Sequence, residues 1–213
     1  MKTIRSFLAV KLDLAAVRAI AEEQRQLKQS CEEARVRVRW VPPPNMHVTI
    51  RFLGGITEPM ISAVKDALEP MTRSFAPFEV ESIGLGAFPD AERARVVWSG
   101  VRCESGELER LYTKVSQLLE RTGFPEEKRP FKSHVTIGRV KGSSSTGLAD
   151  CLAEGADREQ GKSTIRDLIC YRSDLQPTGA DYHALWRLPL LGRGSGASRS
   201  GRRNGPPKTE SKE

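Results

Sequence analysis

Apolar positions along the chain follow two periods, and the alternation predicts interleaved strands and helices. Residues 5–10 (RSFLAV) are a short apolar run typical of a strand, and Asp13 is a candidate N-cap for a helix through about Glu33. The clearest later helix covers residues 107–121, with Leu108, Leu111, Val115, Leu118 and Leu119 at helical spacing. Further helices are predicted at residues 57–74 and 147–158. Further strands are predicted at residues 36–41, 47–53 (ending in a Gly-Gly turn), 78–84, 95–101, 133–140, 164–172 and 182–190.

The composition is that of an ordinary globular protein. The 213 residues are 38% hydrophobic and 29% charged, which suits one large domain or two lobes that share a core. No apolar run is long enough to cross a bilayer, and the N-terminus has no small-residue cleavage pattern. The four cysteines, Cys31, Cys103, Cys151 and Cys170, are far apart and form no metal-binding pattern. We therefore expect free thiols, no membrane association and a cytoplasmic location.

The positive charge is concentrated at the C-terminal end. The formal net charge is +7, and residues 192–213 carry six Lys or Arg against two Glu. This segment is rich in Gly, Ser and Arg and has no apolar periodicity, so it predicts a disordered basic tail behind a folded domain at residues 1–191. Such a tail either attracts RNA weakly or is simply a solvated end.

One tetrapeptide occurs twice. Residues 47–50 read HVTI and residues 134–137 repeat it, although the chain has only three histidines. Each copy follows a Pro-containing loop and leads to an arginine, Arg51 or Arg139. A duplicated structural unit explains this, so two similar halves are predicted.

The repeated tetrapeptide places one histidine and one threonine on the same face of a strand. Side chains at i and i+2 project together, so His47 lies beside Thr49 and His134 beside Thr136. If a pseudo-twofold axis relates the halves, both pairs converge on one cleft. Two imidazoles can act there as general base and general acid, while threonine hydroxyls bind phosphoryl oxygens and arginine neutralises charge. The arrangement suits displacement at phosphorus without a metal ion.

A metal site is the alternative use of these histidines. His183 is the third histidine, and three imidazoles could ligate zinc. It lies in the segment YHALW with no carboxylate or cysteine at ligand spacing. We therefore predict that His183 is an ordinary strand residue and that no metal or other cofactor is bound.

The two HxTx motifs, half a chain apart, resemble those of the 2H phosphoesterase superfamily. The flanking segments RSFLAVKLD, HVTIRFLGG, GLGAFPDAERARVVWSGV, FKSHVTIGRV and LICYRSDLQPTGADYHALWRLPL are similar to its RNA 2′,3′-cyclic phosphodiesterases, also called 2′-5′ RNA ligases, over residues 4–190. The resemblance implies a monomeric, bilobal α+β fold in which two antiparallel sheets line a central cleft, with helices outside. It implies ATP-independent hydrolysis of RNA 2′,3′-cyclic phosphate ends to 2′-phosphates, and reversible 2′-5′ ligation.

The resemblance also implies residue roles. It makes His134 the base and His47 the acid, Thr49 and Thr136 phosphate ligands, and Arg139 the arginine that closes the second motif. Strand geometry complicates the last assignment, because Arg139 has the wrong parity for the cleft unless the strand bulges near Gly138, whereas Arg51 has the right parity.

Two residues beside the motifs are further candidates for substrate contact. Phe88 either stacks on a terminal base or serves packing, and Lys132, directly before the second motif, faces the RNA backbone in this interpretation.

Other substrates and roles remain open at this stage. The same cleft could belong to an RNA-end-binding module without turnover, although retention of both histidines and both threonines argues against that. It could also act on small cyclic nucleotides or 2′-5′ oligoadenylate, which nothing outside the two motifs excludes.

Overall fold

The structure is a computed structural model that describes residues 2–142, 145–176 and 179–192. Within these residues the helices are α1 (Leu14–Glu33), α2 (Glu58–Thr72), α3 (Glu107–Arg121) and α4 (Leu148–Ala153). The strands are β1 (Ile4–Val10), β2 (Val38–Trp40), β3 (Val48–Ile56), β4 (Phe78–Phe88), β5 (Val96–Arg102), β6 (His134–Val140), β7 (Glu159–Ile165), β8 (Asp167–Gln176) and β9 (Gly179–Pro189).

The strands form two antiparallel halves that meet at one residue pair. The order along the sheet is β7-β4-β5-β6-β3-β1-β8-β9, and β2 pairs with β6. The central contact, between β3 and β6, is the single pair Val48 and Val135. The predicted α+β class with two antiparallel halves is confirmed, and the two halves are joined through this pair.

The helices cover the outer faces of the sheet halves. Helices α2 and α3 contact each other and the half containing β3 and β9, whereas α1 and α4 contact the half containing β4 and β7. The periodicity of α3 is confirmed, because Leu108, Leu111, Val115 and Leu119 are all buried. Because each helix is amphipathic, the opposite, concave faces of the two sheet halves remain available for a cleft.

Two sequence predictions about strand ends are wrong. The predicted Gly-Gly turn is part of β3, since Gly54 pairs with Ser6 and Ile56 with Ile4 on β1. The predicted strand at residues 164–172 is two strands, β7 and β8, which separate at Arg166. The two strands have different partners, β4 for the first and β1 for the second, and local sequence does not encode such long-range pairing.

Asp13 precedes α1 as predicted, but its side chain does not cap the helix. The carboxylate accepts hydrogen bonds from the Thr164 backbone N–H, at 2.8 Å, and from Arg166 Nη1, at 2.6 Å. These bonds lower the pKa of Asp13, the backbone bond contributing most. Asp13 therefore ties the start of α1 to the strand that α1 covers.

The chain remains attached to the fold through Gly192, whose N–H donates to the Phe75 carbonyl at 2.8 Å. The predicted tail at residues 192–213 lies, from residue 193 onward, outside the described residues. None of the helices that the structure describes has the length and hydropathy needed to cross a membrane.

Candidate active site

The junction of β3 and β6 brings the two copies of the motif together. Val48 and Val135, which occupy equivalent positions of the two copies, form the pair that joins the sheet halves. A pseudo-twofold axis therefore passes between them. Both valine side chains are buried in the core, so the residues on either side of each valine face the opposite, concave side. His47, Thr49, His134 and Thr136 thus share one face, as predicted, and all are half-buried.

Backbone carbonyl groups orient both imidazoles. Nδ1 of His47 lies 2.7 Å from the Asn45 carbonyl oxygen, and Nδ1 of His134 lies 2.6 Å from that of Lys132. Because a carbonyl can only accept, Nδ1 carries the proton in each ring. In the neutral tautomer, Nε2 of each histidine then carries a lone pair that is directed away from its own backbone anchor.

The threonines make the two copies unequal. Oγ1 of Thr49 lies 3.1 Å from Nε2 of His47, and with Nδ1 protonated the hydroxyl donates to that nitrogen. Among the described residues, no hydrogen-bond partner of His134 Nε2 is found, and Thr136 makes no corresponding bond. The Nε2 lone pair of His134 is therefore the more available of the two.

Aromatic side chains enclose His47. Its ring stacks on Phe7 at a centroid distance of 4.9 Å and meets the edge of Tyr182 at 5.2 Å. The ring of Tyr171 lies beside both, 5.4 Å from that of Phe7 and 6.2 Å from that of His47. Burial lowers the pKa of His47 to about 4, and the nearby charges of Lys11 and Arg139 act in the same direction.

His134 has a more open environment. The edge contact with Phe88 has a centroid distance of 4.9 Å, and Phe88 in turn lies 5.3 Å from Trp98. The Nζ atom of exposed Lys132 is 5.8 Å from the Phe88 ring centre. Burial, followed by the charge of Arg139, lowers the pKa of His134 below its ordinary value. Phe88 and Lys132 therefore both lie beside this histidine, and their contacts with substrate stay a prediction.

A β-bulge brings Arg139 onto the cleft face. Thr136 pairs with Trp98 of β5, and Gly138 pairs with the next residue, Val97, which leaves Ile137 as one extra residue on β6. The bulge that the sequence interpretation required near Gly138 is therefore present. It reverses the parity, so Arg139 faces the same side as Thr136, and its charge acts on both histidines.

Two neighbouring elements hold this bulge. The Ile137 carbonyl accepts the Val41 N–H at 2.9 Å and the Gln24 side-chain amide at 2.7 Å. Gly138 fits because it has no side chain, since a Cβ there would lie 2.6 Å from Cγ1 of Val38.

The same bulge in the first copy corrects the assignment of Arg51. Thr49 pairs with Ala9 and Arg51 with Leu8, so Ile50 is an extra residue on β3. The parity argument for Arg51 is therefore wrong, because the bulge turns it to the core side. Its side chain is only 6% exposed, and its guanidinium donates to the Pro125 carbonyl. Arg51 contacts the α3–β6 loop instead of the cleft.

Sequence reasoning missed the residue that faces the cleft in place of Arg51. Phe52 is 58% exposed, pairs with Phe7 and has its ring centre 6.1 Å from that of Phe7. Aligning the two copies places Phe52 opposite Arg139, so the repeat itself contained this signal. Tyr171 and Tyr182 were also missed, because they come from β8 and β9 and no local pattern connects them to His47.

The third histidine is separate from this group. His183 is exposed and pairs across the strands with Arg172, on the face away from the aromatic residues around His47. Its Nε2 lies 3.7 Å from a carboxylate oxygen of Asp174. Within the described ranges, no three His, Cys, Asp or Glu side chains are grouped as metal ligands, and all four cysteines are free thiols.

The fold and this arrangement of paired HxT motifs define a 2H phosphoesterase. A family model described as LigT like Phosphoesterase matches residues 14–98 and 101–180. The chain belongs to the LigT-like phosphoesterase family.

Several named proteins and solved structures are similar to this chain. An RNA 2′,3′-cyclic phosphodiesterase of Aeropyrum pernix is 34% identical over 170 residues, which cover 79% of this chain and 96% of the relative. Another, of Archaeoglobus fulgidus, is 38% identical over 148 residues, covering 70% and 81% respectively. The solved structure of TT0787 of Thermus thermophilus superimposes with a TM-score of 0.74 at 25% identity, covering 88% of this chain and 98% of the other. A structure of E. coli LigT complexed with 3′-AMP shares the fold, with a TM-score of 0.65 at 21% identity and coverage of 88% and 98%.

Proposed function

We propose that this protein hydrolyses the 2′,3′-cyclic phosphate at the end of RNA and leaves a 2′-phosphate and a free 3′-hydroxyl. The observation that carries the proposal is the pair of imidazoles on one concave face, each of which donates its Nδ1–H to a backbone carbonyl. Relatives that are named RNA 2′,3′-cyclic phosphodiesterases support the choice of substrate.

The cyclic phosphate binds between the two motifs. The hydroxyls of Thr49 and Thr136 donate to its non-bridging oxygens, and Arg139 neutralises the negative charge that grows on them in the transition state. Phe88 and Lys132 contact the terminal nucleotide and its backbone from the His134 side. Phe7 and the two tyrosines limit the access of water to His47.

The two histidines then move two protons. Nε2 of His134 takes a proton from water as the water oxygen attacks phosphorus, and Nε2 of protonated His47 gives its proton to O3′ as the P–O3′ bond breaks. The unpaired Nε2 of His134 supports the base role. His47 needs a proton that its pKa of about 4 does not hold at neutral pH. The bound phosphate anion raises that pKa, so substrate binding and proton uptake are coupled.

The same geometry supports the joining reaction. If a 5′-hydroxyl of a second RNA takes the place of water, His134 removes its proton, the P–O3′ bond breaks in the same way, and a 2′-5′ phosphodiester forms. Neither direction uses ATP or a metal ion in this mechanism.

The test is incubation with an oligoribonucleotide ending in a 2′,3′-cyclic phosphate, with and without EDTA. We expect conversion to a 2′-phosphate at equal rates in both. A 3′-phosphate product would contradict the assigned leaving group. Loss of activity in EDTA with recovery on zinc or manganese would make the histidines metal ligands instead.

A further inference from the structure

Four basic side chains extend from the histidines along β2 and β6. Arg39 pairs directly with Arg139, and Lys141 donates its backbone N–H to the Arg37 carbonyl at 2.8 Å, so Arg37 lies opposite Lys141. Residues directly opposite in an antiparallel pair share a face. We call Arg37, Arg39, Arg139 and Lys141 the basic ladder.

The basic ladder faces the cleft side of the sheet. Val38 and Val140, which lie between its members, and Trp40, which follows Arg39, pack against the hydrophobic core. Their neighbours therefore face the other way, as Arg139 does after the Ile137 bulge. All four ladder residues are exposed, and the ladder begins at Arg139, whose charge acts on both histidines.

The ladder carries charge that the folded chain does not neutralise. In the described parts of the chain, no ladder residue has a carboxylate oxygen within 4.0 Å. Like charges directly opposite each other in a sheet are destabilising, so two such pairs side by side cost stability. An anionic ligand would remove this repulsion.

A second charged surface shows that pairing is available elsewhere on the same sheet. On β4, β5 and β7, Arg102 pairs with Glu81, and Lys162 pairs with Glu79 at 2.9 Å. These residues line a depression of about 790 Å³, where each of the two basic side chains has a carboxylate partner. Arg102 and Lys162 thus have acidic partners on this surface, whereas the ladder residues have none within the described ranges.

We propose that the basic ladder binds the phosphodiester backbone of the RNA that precedes the cyclic end, so that an oligoribonucleotide is bound more tightly than a mononucleotide with the same cyclic end. This inference rests on the proposed function and names its substrate class. Same-face residues on one strand are about 6.7 Å apart, a step similar to the spacing of phosphates in an extended single strand. Arg139 is nearest the scissile phosphate, Arg39 lies beside it, and Arg37 and Lys141 are one step further out.

The experiment compares two substrates that share the reacting group. One is a 2′,3′-cyclic mononucleotide, and the other is a decamer that ends in the same cyclic nucleotide. The full chain is tested as wild type, as the double variant Arg37→Gln with Arg39→Gln, and as a control, Arg73→Gln with Arg121→Gln. The control removes the same charge from exposed positions at the ends of α2 and α3, outside the cleft.

We expect the ladder variant to lower kcat/KM for the decamer about tenfold at low salt and to change the mononucleotide value less than twofold. The salt dependence for the decamer should become shallower by roughly 0.7 in the log-log slope per lost phosphate contact. The control variant should change neither. If the ladder variant affects both substrates equally, or leaves the salt slope unchanged, the proposal that the ladder binds the RNA backbone is wrong.

A binding measurement separates failure of the ladder from failure of the proposed function. Fluorescence anisotropy of the decamer, read as a salt titration, tests the ladder without any turnover. If the wild type hydrolyses neither substrate but the ladder variant still reduces the salt slope, the proposed reaction fails and the ladder stands. If the wild type hydrolyses both substrates but the wild type and the ladder variant have the same salt slope, the proposed reaction stands and only the proposal about the ladder fails.

Discussion

The two copies of the HxT motif share a backbone and differ in what surrounds it. In both copies a carbonyl two residues before the histidine holds Nδ1, and an isoleucine directly after the threonine forms a bulge. His47 is enclosed by Phe7 and Tyr182, whereas among the described residues His134 has one aromatic neighbour, Phe88, and no hydrogen-bond partner at Nε2. The duplication thus preserves the orientation of the imidazole, while the neighbouring strands set its proton affinity.

The residues after the bulges show the same division. The first copy continues with Arg51 in the core and Phe52 on the cleft, and the second with Gly138 in the core and Arg139 on the cleft. One copy therefore supplies an apolar wall and the other a cation. A pseudosymmetric backbone can therefore carry an asymmetric site. The proposed mechanism needs this asymmetry, because one histidine takes a proton while the other gives one.

Replacing each histidine tests whether both copies take part in the reaction. His47→Ala and His134→Ala should each reduce turnover of a cyclic-phosphate substrate a hundredfold or more, the usual effect of losing a positioned proton-transfer group. His183→Ala, which removes an exposed imidazole from another face, is the matched control and should leave turnover unchanged. A near-normal rate in either of the first two variants would refute the two-histidine mechanism.

The two arginines that follow the motifs should have opposite phenotypes. Arg139→Ala should lower kcat/KM about a hundredfold, as loss of a transition-state donor does, with little change in thermal stability. Arg51→Ala should instead lower the free energy of unfolding by about 1–3 kcal/mol, because it leaves the Pro125 carbonyl without this buried donor. Melting curves and kinetics of both variants test this difference. A loss of stability in Arg139→Ala and a loss of activity in Arg51→Ala would mean that the bulges are misassigned.

The sequence predicted those features that depend on local periodicity or on the repeat. The apolar spacing of α3 predicted its bounds and its buried face, and the repeated HVTI segment predicted that both imidazoles lie on one face. Local spacing is sufficient there, because side-chain direction follows from the helical or strand period alone.

The features that the sequence missed depend on strand partners. One extra residue at Ile50 reverses the face of Arg51, and strand parity counted from His47 does not detect it. Tyr171 and Tyr182 reach His47 only because β8 pairs with β1 and β9 with β8. The sequence interpretation named a bulge near Gly138 only as the condition under which Arg139 could face the cleft, and the structure has that bulge.

The bulge at Ile137 has a brace whose removal should act through Arg139. Gln24 donates to the carbonyls of Val41 and Ile137, so Gln24→Leu should lower the free energy of unfolding by about 1 kcal/mol. It should also lower kcat/KM severalfold. A double-mutant cycle identifies the route, because Gln24→Leu should cause no further loss once Arg139→Ala is present.

The control for this brace lies on the same helix. Gln29→Leu removes an exposed amide of α1 that contacts only Glu33 among the described residues, and it should change neither stability nor kcat/KM. Additive effects of Gln24→Leu and Arg139→Ala would show that the brace stabilises the fold without positioning Arg139.

The smallest expected effect concerns pH and the single proton that His47 and His134 share. Both histidine pKa values are lowered in the free protein, so the singly protonated pair is populated below neutral pH and is lost as the pH rises. The kcat/KM profile, which reports the free protein, should be a bell with its optimum below pH 6.5. The kcat profile should be centred at higher pH, because the bound phosphate raises the pKa values.

A substitution of Lys11 changes the pKa of His47 without a direct effect on that of His134. Its positive charge helps to lower the pKa of His47, whereas burial and Arg139 are the causes that act on His134. Because the pKa of His47 is lowered the more strongly, Lys11→Met should move the acid limb of the kcat/KM bell to higher pH by a few tenths of a unit at low ionic strength. The shift should disappear at about 1 M salt, where charges are screened within about 3 Å. Lys114→Met, at an exposed position on α3, is the charge-matched control. A shift of the limb to lower pH would contradict the sign of the interaction between Lys11 and the pair.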